Sequence, residues 1–154
     1  GNSSQITDGA AALLVGSEQA GKDHGLTPIA MLHDYTYVGC DPKRMGLGPV
    51  NAIKELLQRT GKTIADADVV EINEAFAAQV IACKKQLAKE GIALSEQQLN
   101  PQGGSIALGH PVGATGARLA GAAIHQLHFS EQKNAIISLC VGGGQGAAMW
   151  LERI

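Results

Sequence analysis

The sequence predicts an α/β domain: one mostly parallel sheet covered by helices, with an antiparallel strand pair at its C-terminal end. Three observations carry this. Short apolar, β-rich runs alternate along the chain with stretches of helical period. Glycine or proline punctuates most of the helical stretches. The last two apolar runs are separated only by Val141-Gly142-Gly143-Gly144-Gln145-Gly146, a spacing that suits a hairpin.

Gly1–Gly9 reads as a polar loop closed by the Asp8-Gly9 turn signal. Ala10–Val15 is a short apolar run, expected to be a buried strand. Ser17 caps a short helix that reaches His24 and stops at Gly25. Pro28–Val38 alternates loosely and is β-rich at Tyr35-Thr36-Tyr37-Val38, a longer strand. Gly39–Gly48 is a loop. Pro49 opens a helix through Arg59, with Ile53, Leu56 and Leu57 on one face and Gly61 as its stop. Asp68–Ile72 is a short strand. A helix follows from about Glu74 to Glu90, with Phe76, Val80, Cys83 and Leu87 at i, i+4, i+7 and i+11 and Gly91 behind it. Ser95–Asn100 is polar and ambiguous. The glycine-rich stretch Gly103–Gly116 leads into a helix over 114–128, with Leu119, Ala120, Ala123, Ile124 and Leu127 apolar. Ala135–Cys140 and Ala147–Leu151 are the final strands.

A chain of 154 residues is one domain by size, able to bury about 70% of its unfolded surface. The net charge of −2 gives no reason to expect nucleic acid or an anionic membrane as partner. Cys40, Cys83 and Cys140 are odd in number and far apart, which argues against a disulfide framework. They fit a reducing compartment, the cytoplasm or an organellar matrix. No run has the length of a membrane span and no signal-peptide pattern is present. The opening Gly1-Asn2-Ser3-Ser4 lacks a Met and reads like the middle of a longer protein. Nine of the 20 glycines fall in 103–116 and 142–146, so the excess is local.

In α/β sheets functional groups collect at strand ends. Asn73, His110 and Cys140 sit at such ends or on the loops beside them. Pro111 biases His110 away from α geometry, so the loop holds one imidazole at a defined angle. A thiolate is a nucleophile or base once a neighbour lowers its pKa. Neutral imidazole accepts a proton, and an amide donates to an oxyanion. The N–H groups after Cys140, on Gly142 and Gly143, form a ready oxyanion hole. These residue types favour carbonyl chemistry at an acyl group. Plainer readings stand beside this one. A cysteine at a strand end is commonly a small core residue, and Cys83 lies on an apolar helix stripe. Cys40, His24 and His33 show no pattern. His125 and His128 lack the companions of a metal motif. Gly104–Gly109 is followed by His-Pro, so the Walker pattern fails, and no dinucleotide fingerprint is present. Lys62, Lys84 and Lys85 read as solvated face.

Asn73-Glu74-Ala75-Phe76, Gly109-His110-Pro111 with Gly113–Arg118 behind it, and Cys140–Gly146 resemble the three C-terminal signatures of thiolases, in order and spacing. Gly1–Ser4 with Asp8–Ala11, and Met45–Pro49, resemble two further elements of that family. The likeness spans the whole chain. It implies a thiolase-like half, a five-stranded mixed sheet with helices on its faces, matching the family's C-terminal half. In the family the acyl-carrying cysteine belongs to the N-terminal half, so none of the three cysteines here takes that role. The resemblance implies that Cys140 is the acid/base for the α-proton and that His110 activates the absent nucleophile and helps hold the enolate oxygen. Asn73 positions a water in the same hole, and the Gly142 N–H is one donor of a second hole. Ser4 touches the pantetheine arm of coenzyme A, and Met45, Ala75 and Phe76 lie near the pantetheine and acyl tunnel. The implied reaction is reversible Claisen condensation or thiolysis by an acyltransferase of the fatty-acid β-oxidation type. It uses coenzyme A thioesters as substrates, with no other cofactor and no metal. The partners implied are acyl-CoA, the N-terminal domain and, at full length, further copies in a dimer or tetramer. Two other readings remain: a cysteine hydrolase using Cys140, His110 and Asn73, and a non-catalytic half-domain that binds coenzyme A or a partner.

Overall fold

The computed structural model describes residues 1–154. Its elements in order are α1 (Glu18–Asp23), β1 (Ala30–Gly39), α2 (Gly48–Thr60), β2 (Val69–Ile72), α3 (Ala77–Lys89), α4 (Ser105–Leu108), α5 (Thr115–Phe129), β3 (Asn134–Val141) and β4 (Gln145–Arg153). Two 3-10 segments, Pro42–Leu47, kinked at Arg44, and Ile64–Asp66, link β1 to α2 and α2 to β2.

The sheet has the order β1-β4-β3-β2. Only β2 and β3 run parallel; β3/β4 and β4/β1 are antiparallel. This corrects the expectation of a mostly parallel sheet. The hairpin strand β4 does not close an edge: it inserts between β3 and β1 and reverses both pairings. The sheet is four-stranded rather than five-stranded. On the outer edge of β2, Leu99 makes a single parallel bridge to Val70, through Val70 N–H to Gln98 O (2.8 Å) and Asn100 N–H to Val70 O (2.9 Å). It goes no further because Asn100 turns into the left-handed region, at φ 47°. The Asn100 side chain instead bonds the backbone of Ile72, accepting from its N–H and donating to its carbonyl.

Two apolar clusters give three layers. Val50, Ile53, Leu56 and Leu57 of α2 and Val80, Cys83 and Leu87 of α3 pack on Val70, Ile72, Ile136, Ala148 and Trp150. On the other face Leu119, Ala120, Ala123 and Leu127 of α5 pack on Val69, Ala135, Ile137 and Leu151. Burial on both faces is why β2 and β3 read as near-continuous apolar runs. Proline and glycine bound α2 as expected: Pro49 sits in its first turn, and Gly61 leaves it in the left-handed conformation.

Three boundaries differ from expectation. Ala10–Val15 is no strand; it pairs with none, and Leu14 and Val15 are 83% and 76% exposed. An apolar run becomes a strand only where an open sheet edge meets it, and none of this sheet's edges does. The helix expected from Glu74 starts at Ala77, because the N-terminal segment holds the preceding residues extended. Ser3 bridges Phe76, Ser4 N–H donates to Ala75 O (3.1 Å) and Ala77 N–H to Asn2 O (2.9 Å). Phe76 is therefore off the apolar stripe of α3 and half exposed. Inside the glycine-rich stretch lies the one-turn helix α4, which the loop reading did not foresee.

Candidate acyl-transfer site

The C-terminal ends of the parallel strands β2 and β3 lie side by side, and the antiparallel β1 ends and β4 begins at that same end of the sheet. Asn73 follows β2 directly. Cys140 is the penultimate residue of β3, paired with Gly146, and Gly142 opens the turn beyond it. The Asn73 N–H donates to Ser138 O (2.9 Å), two residues before Cys140. At Gly146 the backbone of α2 comes so close that a Cβ there would lie 2.8 Å from Gly48 Cα, and one at Gly48 would lie 2.9 Å from Gly146 Cα. Only two glycines allow this crossing, and it brings the turn carrying Met45 to the start of β4. Cys40 N–H donates to Gly144 O (2.8 Å), and Cys83 Sγ contacts the Gly46 carbonyl at 3.1 Å.

Asn73 is buried. Its Oδ1 accepts from Ser105 Oγ (2.6 Å), which in turn accepts from Arg118 Nη2 (2.8 Å). Glu74 ties the same loop down from the other side. Its carboxylate accepts from Ile106 N–H (3.0 Å) and from Asn100 Nδ2 (3.2 Å).

His110 stands on backbone that needs glycine before it: Gly109 has φ 93°, and a Cβ there would lie 2.6 Å from Thr7 Cγ2. His110 N–H donates to Gln5 O (2.8 Å). Its Nδ1 lies 2.7 Å from Thr115 Oγ1, which is also 3.0 Å from Pro111 O. The hydroxyl has one proton for two neighbours, so its destination sets the tautomer. Given to Pro111 O, it leaves Nδ1 carrying hydrogen and Nε2 bare. Burial, with the Arg118 charge adding to it, lowers the His110 pKa and favours the neutral imidazole.

Burial raises the Cys140 thiol, and the nearby Cys40 adds to the rise. No cation offsets that desolvation. Cys83 is pushed up to about 11 by burial and is a core residue. Gly142 is exposed and its N–H has no partner in the chain, a free donor beside Cys140. Gly143 and Gly144, both at φ 90°, turn the chain back into β4.

The structure thus gathers Asn73, Cys140, Gly142 and Met45 at one end of the sheet. Ser4, Ala75 and Phe76 form a second group, with Ser4 Oγ bonded to Ala75 O (3.3 Å). His110 joins this group through Gln5 and approaches Asn73 through Arg118. No hydrogen bond directly links His110, Cys140 and Asn73 to one another. Sequence reasoning assigned nothing to Ser105, Thr115 or Glu74. The only signals were a lone hydroxyl in the apolar run Gly104–Leu108, and Thr115 and Arg118 one turn apart at the start of α5.

The fold is a three-layer α/β/α unit with a thiol, a buried amide and a free N–H at one sheet end and an imidazole on a loop beside it. The family model described as the thiolase C-terminal domain matches residues 26–153, and the chain belongs to that family. Among curated relatives, the 3-oxoadipyl-CoA/3-oxo-5,6-dehydrosuberyl-CoA thiolase of Escherichia coli K12 is 49% identical over 154 residues, and the β-ketoadipyl-CoA thiolase of Pseudomonas putida 47%. The match covers 100% of this chain but 38% of each relative, so the chain spans well under half their length. The crystal structure of Bacillus anthracis acetyl-CoA acetyltransferase is similar with TM-score 0.83 at 43% identity, over 90% of this chain and 34% of that one. Human mitochondrial 3-ketoacyl-CoA thiolase in complex with CoA gives TM-score 0.83 at 42% identity, over 89% and 34%.

Proposed function

We propose that the chain is the C-terminal half of a thiolase that interconverts 3-oxoacyl-CoA plus CoA with acyl-CoA plus acetyl-CoA. The observation that carries this is the gathering of Asn73, Cys140 and Gly142 at one sheet end, with His110 on the adjoining loop, inside a chain 47–49% identical to named thiolases. The nucleophilic cysteine then lies on chain outside these 154 residues. The short coverage of the relatives supports this, and so does the exposure of Leu14 and Val15, which fits a strand whose sheet is elsewhere.

In cleavage, the nucleophile's proton passes to His110 Nε2, and its sulfur attacks the 3-oxo carbonyl. The Cα–Cβ bond breaks, the acyl group stays on sulfur, and its electron pair forms the enolate of acetyl-CoA. The Cys140 thiol gives that enolate its proton, which the raised pKa keeps available at neutral pH. The enolate oxygen is held on the side of His110 and Asn73, while the Gly142 N–H stabilises the oxyanion of acyl transfer. Free CoA then attacks the acyl carbonyl, its thiol proton passing to the Cys140 thiolate; the bond from the acyl carbon to the nucleophile's sulfur breaks, and that sulfur recovers its proton from His110. Ser4, Met45, Ala75 and Phe76 line the approach of the pantetheine arm. The hydrolase reading differs in requiring Cys140 itself to carry the acyl group. No helix is long and apolar enough to cross a membrane.

The test is CoA-dependent cleavage of 3-oxoadipyl-CoA and acetoacetyl-CoA by the full-length chain, run beside the 154-residue piece alone. Cleavage by the first and not the second is expected. Robust turnover by the piece alone would overturn the missing nucleophile.

A further inference from the structure

We infer that Ser105 and Arg118 are positioning residues that lock the Asn73 side-chain amide with its N–H end turned into the site. This rests on the thiolase reading and adds to it two residues that act through Asn73. A guanidinium only donates, so Ser105 Oγ is the acceptor in its 2.8 Å bond with Arg118 Nη2. Ser105 is 0% exposed, and its single proton has one acceptor in reach, Asn73 Oδ1 at 2.6 Å. The direction of the chain is therefore fixed: Arg118 to Ser105 to Asn73 oxygen.

A flipped amide would set Nδ2–H against that hydroxyl. The Ser105 proton would then be buried without an acceptor, the unmet bond that disfavours the flip. The observed orientation leaves Nδ2 as the free end. Asn73 is 1% exposed and Nδ2 bonds to nothing in the chain, yet it is absent from the fully enclosed polar atoms that lack a partner. A buried amide thus keeps an unused donor with a trace of accessible surface, beside the ends of β2 and β3. The residue is held at both sides, by Asn73 N–H donating to Ser138 O and by the next residue's carboxylate, Glu74, accepting from Ile106 N–H. Rotation of the amide is the freedom left, and the Arg118–Ser105 pair removes it. The Arg118 charge is also felt by the buried Glu71, where it partly offsets the rise that burial gives that carboxyl.

The experiment uses the full-length chain and two half-reactions. One is acetylation of the nucleophile by acetyl-CoA. The other is exchange of the acetyl α-hydrogen with deuterated water, in which the C–H bond breaks, the proton leaves through Cys140 and a deuteron replaces it. Ser105→Ala is expected to slow exchange about tenfold or more while acetylation stays within about twofold. Ser105→Thr, which keeps the hydroxyl, restores exchange. In an Asn73→Ala background, Ser105→Ala costs nothing further, because its effect passes through the amide. Equal loss in both half-reactions, or full additivity with Asn73→Ala, overturns the relay. So does unchanged exchange in Ser105→Ala while the parent exchanges. A parent chain that neither acetylates nor exchanges overturns the thiolase reading itself, which separates the two failures.

Discussion

Thr115→Val removes one oxygen from a fully buried residue in the first turn of α5 and leaves the volume nearly unchanged. That oxygen is 2.7 Å from His110 Nδ1 and 3.0 Å from Pro111 O. The variant loses one backbone bond, which costs about 0.5–1.5 kcal/mol of stability, and the helix remains. It also leaves Nδ1 without its partner and releases the constraint on the ring's tautomer. The penalty for an unpaired, partly buried ring nitrogen is about 1–3 kcal/mol, or about 5- to 150-fold in kcat/KM. The assay is thiolysis by the full-length chain across pH, with thermal unfolding as a control. Thr115→Ser keeps the hydroxyl and is expected to stay near the parent. If Thr115→Val folds normally and keeps kcat/KM within twofold, then the hydroxyl does not orient His110 and the base assignment loses its geometric support.

Other expectations follow from the same contacts. Gly146→Ala forces a Cβ to 2.8 Å from Gly48 Cα, backbone against backbone, and should cost about 1–3 kcal/mol or more; an unchanged melting temperature would contradict the crossing. Burial raises the Glu71 carboxyl to about 7 from an ordinary 4.5, so between those pH values the folded state holds the extra proton. Its contribution is present below about pH 4.5 and lost as pH rises through 7, up to about 3 kcal/mol. Glu71→Gln should therefore gain stability relative to the parent between pH 5 and pH 8 in paired melts, and a gap that does not widen refutes the shift. Cys140→Ser should abolish α-hydrogen exchange on acetyl-CoA; near-normal exchange would remove Cys140 from its acid/base role.

The strands β2 and β3 were legible because burial on both faces writes an unbroken apolar run, and α2 because Pro49 and Gly61 punctuate it. Ala10–Val15 carries the same apolar signal, yet it pairs with no strand of this sheet, and no local pattern records that. Sheet order was illegible for the same reason: whether β4 lies outside β3 or between β3 and β1 is a long-range pairing. Phe76 fitted the spacing of α3 by coincidence, since the N-terminal segment holds it extended. At the site, Asn73, His110 and Cys140 could be read from their places at strand ends and on a glycine-rich loop. Ser105 and Thr115 could not, because a hydroxyl becomes informative only through what lies 2.6 or 2.7 Å away.

Where the acyl group sits is the deciding question. The full-length chain, mixed with acetyl-CoA, quenched in acid and digested, should yield a single acetylated cysteine peptide by mass spectrometry. That peptide is expected to come from outside these 154 residues, with Cys40, Cys83 and Cys140 unmodified. An acetyl group on Cys140 that turns over with added CoA would contradict the division of labour, making Cys140 the nucleophile and this chain's own site complete.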